Sequence, residues 1–511
     1  MRTWLASVMV AAALLGACTP RPPVAEPDRP NILWILLEDT APLMGAYGTT
    51  LIETPRIDEL AAAGVVYTQA IMPAPVCSAS RSSIITGSMA TTLGLHNHHS
   101  SRTEASAIHL PEGYRTVPEV FRDAGYFTFN NGKDDYNFAY DRQQLYEQSY
   151  SVHPLYGKRG DPVELATLTA RQPFFGQIQL AGGKEIFSAA FDEAAAPKMD
   201  RALVQLPPYL PDHPVIVDEW ADHLDAIRIT DGKVGAIVDE LRATGSLENT
   251  IVFFFSDHGM RMTRNKQFLY DGGLRVPLIV ADFRAEPVLE PGTRDDRLVG
   301  GLDLGTSALG LAGITIPEAM EGVDIFAADF AGRDFIVSTR DRCDFTIDRI
   351  RSVRSARVKY IRNFLTDRPY AQPTYMDVDG VEFVGTMRQL HAEGQLDPVQ
   401  ARFFAEERPA EELYDLIGDP HELVNLAGHP EYAETRAEYA AILDDWIART
   451  DDQGQYPEPE EGLKLMLGIW GDHAVNTEYE PLRERFPDLS GSQFPLKSAG
   501  WQRASAEGNS R

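Results

Sequence analysis

NILWILLED, Asn31 to Asp39, is an almost unbroken apolar run that closes on two carboxylates. TIVFFFSDHG, Thr250 to Gly259, repeats the design far along the chain and ends on Ser256, Asp257 and His258. A continuous apolar run of this length suits a strand buried on both faces of a sheet, where no alternate position meets water. In open α/β sheets, ligands collect at the carboxyl ends of the strands. Glu38, Asp39, Asp257 and His258 are therefore expected to converge at one sheet edge. Three carboxylates brought together repel, and a divalent cation is the usual remedy. Their oxygens favour a hard ion such as Ca²⁺ or Mg²⁺, and the imidazole leaves room for Mn²⁺ or Zn²⁺. Acids that merely sit in loops at strand ends are the plainer reading, but the device occurs twice.

Between these strands the pattern becomes helical. Thr54-Pro55 supplies a cap and a first position for a helix that stops at Gly64. TVPEVFRDAGY, Thr116 to Tyr126, has the same grammar and leads into FTFNN. From Pro214 to Thr244, Ile216, Trp220, Leu224, Ile227, Val234 and Ile237 share one helical face, which predicts a long amphipathic helix. Strands alternating with helices predict an α/β fold, with a large, mostly parallel sheet and helices on both faces.

The chain has 511 residues, 43% of them hydrophobic, enough to bury a sizeable core as one large or two unequal globular domains. Its formal charge of −28 argues against nucleic acid as a partner, since that footprint is basic. An anionic ligand would need a locally positive pocket, so clustered cations matter more than the total. Met1-Arg2 is followed by an apolar run from Trp4 to Leu15, too short to span a bilayer and typical of an export signal. Leu15-Gly16-Ala17-Cys18 resembles a bacterial lipobox, in which Cys18 is lipidated and anchors an exported protein to the membrane, in the periplasm or at the cell surface. The alternative is an ordinary secretory signal cut near the Ala and Gly residues. Thr19 to Arg29, TPRPPVAEPDR, follows as a stiff Pro-rich tether.

PVCSASRSS, Pro75 to Ser83, holds one of only three cysteines. With Cys18 committed to lipid, a disulfide between Cys77 and Cys343 is one use for the other two. The surroundings of Cys77 point elsewhere. SRSSIITGS reads as the start of a helix with serines as caps, and a helix N-terminus presents unpaired N–H groups and a positive dipole end. Arg81 adds charge. A nucleophile or an oxyanion belongs there.

Together these stretches resemble the formylglycine-dependent (type I) sulfatases of the alkaline phosphatase superfamily. CSASR followed by TG resembles the signature Cys/Ser-x-Pro/Ala-x-Arg…Thr-Gly, NILWILLEDT the opening strand, and FFFSDHG the second metal-binding strand. NKQFLYDGGLRVPLIV (Asn265 to Val280), DLGTSALGLAGITIPEAMEGVDI and ELYDLIGDPHELVNLA (Glu412 to Ala427) resemble later motifs of the family, in order. YIRNFLTDRPYAQPTY and LPPYLPDHP resemble the branch of N-sulfoglucosamine sulfohydrolases.

The N-terminal pattern divides off a signal (1–17) and a tether (18–29), the resemblance implies a catalytic domain (30–330) and a small C-terminal α+β subdomain with an antiparallel sheet (331–455), and a polar extension follows (456–511). It implies that a maturation enzyme oxidises Cys77 to formylglycine, whose hydrate is the nucleophile, with Arg81 holding it. Glu38, Asp39, Asp257 and His258 would bind one divalent cation, Ca²⁺ ahead of Mg²⁺ or Mn²⁺. Lys133 and Lys266 match lysines that neutralise sulfate oxygens. One hydroxyl of the hydrate attacks sulfur and displaces the alcohol; loss of the other hydroxyl's proton then regenerates the aldehyde and expels sulfate. The implied substrate is a sulfated glycan carrying an O-sulfate or N-sulfate. A phosphonate monoester hydrolase or phosphodiesterase shares the same fold and nucleophile type, and a catalytically silent glycan-binding lipoprotein is the reading from another class.

Three departures from the family pattern stand out. Ala79 occupies the place where proline is commonest, and Asp134-Asp135 stands where Trp-His is common. In PFFGQIQLAGGKEIF, Lys184 takes the place of a histidine and is expected to bind sulfate or protonate the leaving oxygen. In GLHNHHSSR, His96 and His98 ahead of His99 are candidates for substrate binding or acid catalysis, with an exposed loop as the alternative. Arg349, Arg351, Arg354, Arg357, Lys359 and Arg362 form the one dense basic stretch and read as an antiparallel hairpin with mostly solvated charges. The tail from Asp451 reads as polar and irregular.

Overall fold

A computed structural model of the protein describes residues 29–490 apart from 154–156 and 194–197. Cys18, the export signal and most of the tether lie outside the described residues. Among the described residues, no helix is long and apolar enough to cross a membrane.

Nine strands form the main sheet: β1 (Asn31–Leu37), β2 (Gly64–Ile71), β3 (Phe127–Asn131), β4 (Gln148–His153), β5 (Gly157–Gly160), β6 (Phe174–Leu180), β7 (Thr250–Ser256), β8 (Arg275–Asp282) and β9 (Thr293–Gly300). Their order is β5-β4-β3-β6-β1-β7-β8-β2-β9. Only β5 and β8 run against the rest. The two opening runs are neighbours: β1 pairs in parallel with β7, Leu37 opposite Ser256, and with β6, Leu37 opposite Leu180.

Both runs are buried on both faces, and their side chains alternate between two cores. Leu33, Ile35 and Leu37 of β1 pack with Val252 and Phe254 of β7 under the long helix Pro214–Ala243, which contributes Trp220, Leu224, Ile227 and Val234. Ile32, Trp34 and Leu36 pack on the other face with Phe253 and Phe255, and Trp34 meets Phe175 and Phe255 edge-on. That face is covered by α2 (Cys77–Thr86), α3 (Val117–Asp123) and the helix Asp303–Leu311. The α/β class, the mostly parallel sheet and the helices on both faces are as expected from the sequence.

Local grammar held with two changes. Thr116 and Glu119 close a capping box on α3, and Pro214 opens the long helix. On α1 (Pro55–Ala62), however, the Thr54 hydroxyl accepts from Gly45 N at 2.9 Å instead of from the helix. Asp231 of the long helix caps α1 in its place, accepting from Arg56 N and Ile57 N at 2.9 and 2.7 Å. The second change is at α2, which begins at Cys77 itself. Its serines do not cap; they tie the fully buried helix to its neighbours, as Ser80 does by donating to Asp257 O at 2.6 Å.

A separate antiparallel sheet follows, β10 (Ile336–Arg340), β11 (Ile350–Arg354), β12 (Val358–Asn363) and β13 (Glu411–Asp415), in that order. The helix Ala433–Thr450 lays Leu443 and Trp446 against it. The expectation of solvated charges on this sheet is corrected. Arg351, Arg354 and Lys359 are buried, because carboxylates from other parts of the fold reach them: Asp341 and Asp452 for Arg351, Asp271 for Arg354 and Lys359. Arg357 alone of this group stays mostly in water. The tail is also more ordered than its composition suggested. Glu460–Trp470 is a helix whose Met466 and Leu467 pack with Phe345, Tyr479 and Leu482.

Candidate active site

The register of β1 against β7 places Glu38 and Asp39 beside Asp257 and His258 at the carboxyl edge of the sheet. Asp39 is held with a positive φ of 49°, its N–H donating to Asp257 Oδ1 at 3.2 Å, while Asp257 N donates to Leu37 O at 3.1 Å. The first residue of α2 points into the same place. Cys77 Sγ lies 3.1 Å from His258 Nε2 and 4.0 Å from Asp39 Oδ1. Ligand atoms of Asp39, Cys77, Asp257 and His258 all fall within 4.8 Å of one another, and all four residues are buried.

Cations ring this cluster. Arg81, one turn along α2, donates from Nε to Asp257 Oδ2 at 2.9 Å and from Nη1 to Gln179 Oε1 at 2.8 Å; its Nη2 is buried without a hydrogen-bond partner. Lys266 donates to both oxygens of Asp39 at 3.0 and 2.9 Å and lies 3.5 Å from Cys77 Sγ. Lys133 follows β3 and donates to Glu38 Oε2 at 3.2 Å. Lys184 donates to the same oxygen at 2.6 Å and stands 3.7 Å from Asp39. The turn that delivers Lys184 needs glycine. Gly182 has a φ of 57°, and a Cβ on Gly183 would lie 2.2 Å from the Asp39 carbonyl oxygen.

The charges act on one another as this packing requires. Burial alone would push the Cys77 thiol up, yet Lys133, Lys266, Lys184 and His258 together bring it down to about 6. Burial disfavours the charged Glu38 and Asp39 carboxylates, but the surrounding lysines hold both well below the usual range. Burial lowers His258, and Asp257, Cys77 and Asp39 more than reverse it, so its imidazole holds a proton to higher pH than usual.

Two carboxylates, an imidazole and the atom at position 77 make a donor set that fits a divalent cation. Lys266 and Arg81 supply the compensating positive charge at those carboxylates. Glu38 stands apart from the tight group, its carboxylate engaged by Lys133 and Lys184. Cys77 and Cys343 are both free, which corrects the disulfide alternative.

The histidine segment divides. His96 is buried away from this cluster; its charged neighbours are Asp341, Arg351, Asp452 and Glu458. His98 bonds Asp344 at 3.1 Å and stacks on His99, ring centroids 3.6 Å apart. His99 is the one that reaches the site, with Nε2 3.0 Å from Asp135 Oδ1, while Asp135 Oδ2 is 3.4 Å from Lys133 Nζ. Sequence reasoning passed over Gln179, Asp135, Arg261, His223 and Tyr375. The departure at Asp134-Asp135 was a usable signal for Asp135; the others carry no local pattern.

The sulfatase family profile matches residues 30–314. An ulvan-active sulfatase of Formosa agariphila is 32% identical over 487 residues, covering 86% of this chain and 78% of that protein. Human N-sulphoglucosamine sulphohydrolase is 24% identical, covering 86% of this chain and 92% of its own. A solved protein in complex with its substrate D-glucosamine-2-N,6-O-disulfate superposes with a TM-score of 0.58 at 18% identity, covering 83% of this chain and 98% of that one. The chain belongs to the sulfatase family and is a sulfatase enzyme.

Proposed function

We propose that the protein removes sulfate from a sulfated carbohydrate, an O-sulfate ester or an N-sulfate, using formylglycine made from Cys77 as the nucleophile. The observation that carries this reading is the meeting of Asp39, Cys77, Asp257 and His258 within 4.8 Å, ringed by Arg81 and three lysines. An acidic protein has gathered its cations where an anionic group must sit. The two related enzymes and the solved structure carry sulfated carbohydrates in their names or titles, which favours a sugar over a simple aryl ester.

Asp39, Asp257 and His258, with Glu38 beside them, would hold one divalent cation, most readily Ca²⁺. When bound, the cation supplies Lewis-acid charge for the sulfate oxygens and the nucleophile. The chain's own residues do the rest. Arg81 orients Asp257, and its Nη2, which makes no hydrogen bond, joins the helix N-terminus in favouring an oxyanion at position 77. Lys133 and Lys266 bind non-bridging oxygens. Lys184 lies on the open side, over a quarter exposed, suited to the leaving oxygen or to a further sulfate oxygen. His99 joins the site through Asp135, which faces Lys133.

Export, and lipidation of Cys18 as a membrane anchor in the periplasm or at the cell surface, complete the proposal, as does a maturation enzyme that reads Cys77, Ala79 and Arg81 in the unfolded chain. The test has two parts. Mass spectrometry of the native-host protein should show an aldehyde at position 77, and kcat/KM on matched sulfate and phosphate esters should favour sulfate. A plain thiol in active enzyme, or a preference for phosphate, rejects the reading.

A further inference from the structure

Next to Lys184, a group of polar atoms remains that neither the sulfate cluster nor the fold uses. The turn Gly182–Phe187 carries Lys184 at one end and Phe187 at the other. The Arg261 guanidinium lies over the Phe187 ring, 4.6 Å from its centroid. One edge of it is fixed, Nη2 donating to Glu219 Oε1 at 2.8 Å. Nε and Nη1 have no hydrogen-bond partner among the described residues, and about a tenth of the side chain is exposed.

Two orphaned groups flank it. His223, on the long helix, is 95% buried, and its Nε2 has no partner. Its ring lies against Gly183, where a Cβ would come within 2.7 Å of Cε1. Tyr375, from the C-terminal part, presents a buried hydroxyl with no partner, and its ring lies 5.6 Å from Lys266 Nζ. Arg261 lies on the Phe187 end of the turn, His223 beside Gly183 where that turn meets the Asp39 backbone, and Tyr375 over the lysine that holds Asp39; His223 Nε2 and the Tyr375 hydroxyl are buried with nothing to bond. Buried polar groups without partners are costly and call for an explanation such as a ligand.

We propose that Arg261, His223 and Tyr375 form a second anion subsite beside the sulfate pocket, which recognises another anionic group of the substrate, a carboxylate or a second sulfate. The inference rests on the sulfatase reading above and narrows its substrate class to glycans with at least two anionic groups close together. Glu219 and Phe187 lock the guanidinium plane, the arrangement that gives planar recognition of a carboxylate or sulfate. The Tyr375 hydroxyl and His223 Nε2, as its donor tautomer, complete the pocket.

The experiment compares three disaccharides that share one scissile sulfate and differ only in the second group: carboxylate, second sulfate or neutral hydroxymethyl. An aryl sulfate serves as a fourth substrate. Wild type should prefer at least one acidic disaccharide over the neutral one by about tenfold or more. Arg261→Met, which keeps the stem on Phe187, should lower kcat/KM for that substrate by roughly 10–100-fold, mainly through KM, and collapse the selectivity ratio. Arg261→Lys should restore part of the ratio, and Tyr375→Phe should reduce it without loss of fold. The acidic group whose advantage disappears is the one recognised. A wild type that cleaves the aryl sulfate but treats all three disaccharides alike overturns the inference alone, as does an Arg261→Met loss equal on all four substrates. A wild type that cleaves none of the four overturns the sulfatase reading and the inference with it.

Discussion

At the carboxyl edge of the large sheet, Asp39 is shared by Lys266, Lys184 and His258, and Glu38 by Lys133 and Lys184. In the small sheet, Arg351 directs Nε and Nη2 to Asp452 at 2.7 and 2.9 Å, Nη2 also to Asp341 at 3.0 Å, and Nη1 to two carbonyls. Arg342 and Arg354 likewise spend both edges of their guanidinium groups on Glu458 and Asp271 and on nearby carbonyl or amide oxygens. Both regions bury several charges and both leave an arginine nitrogen without a hydrogen-bond partner, Arg81 Nη2 in one and Arg340 Nε in the other, yet they differ in where the charges converge. The small-sheet pairs join distant segments: Asp271 to β11 and β12, Asp452 to β11, and Glu458 to Arg342 just beyond β10. The large-sheet edge instead gathers Arg81, Lys133, Lys184, Lys266 and His258 around Glu38, Asp39 and Asp257 at one place. Pairs spread between segments hold a structure together, whereas cations gathered at one point await a ligand.

That contrast is open to attack, first at its strongest point. Cys77→Ala should keep the fold and lose all turnover, since it removes the nucleophile and leaves the Asp39 and Asp257 pairs that hold Lys266, His258 and Arg81. Turnover by Cys77→Ala would break the functional half of the comparison. Exhaustive chelation, or Asp257→Ala, should also abolish activity, and added Ca²⁺ should rescue only the chelated protein. Because His258 keeps its proton to higher pH than usual and must lose it to bind a metal, the affinity for the ion should fall as pH drops. Calcium titration calorimetry across the pH range reads that slope directly.

Next come the lysines. Lys133→Ala and Lys266→Ala should each lower kcat/KM by roughly 10²–10³, the range for a lost oxyanion donor. The mirror experiment is Arg351→Met in the small sheet, which strands Asp452. It should cost about 3–5 kcal/mol in denaturant unfolding and leave kcat/KM of the folded protein intact. A loss of activity without a loss of stability there would erase the distinction between the two regions. The smallest effect is expected for Lys184→Ala, about tenfold. If Lys184 protonates the leaving oxygen, the loss should shrink with an activated aryl sulfate; an equal loss with both assigns it to sulfate binding.

Much of this protein could be read along the chain. The apolar runs before Glu38 and Asp257 specified two central strands, because strands without alternation have no face to give to water. The caps and three-to-four spacing marked the helices, and CSASR placed Cys77 and Arg81 one turn apart on one of them. These are local properties, decided by residues within a turn or a strand of each other. What the chain could not reveal was which distant side chains would meet. The register of β1 on β7, and the loops beyond, brought His99 and not His96 to Lys133 by way of Asp135. They turned Glu38 to the lysines, and they buried Arg351, Arg354 and Lys359 in a hairpin whose composition spoke for water. A charge is solvated or paired according to what stands within a few ångströms of it, and only tertiary structure sets that distance.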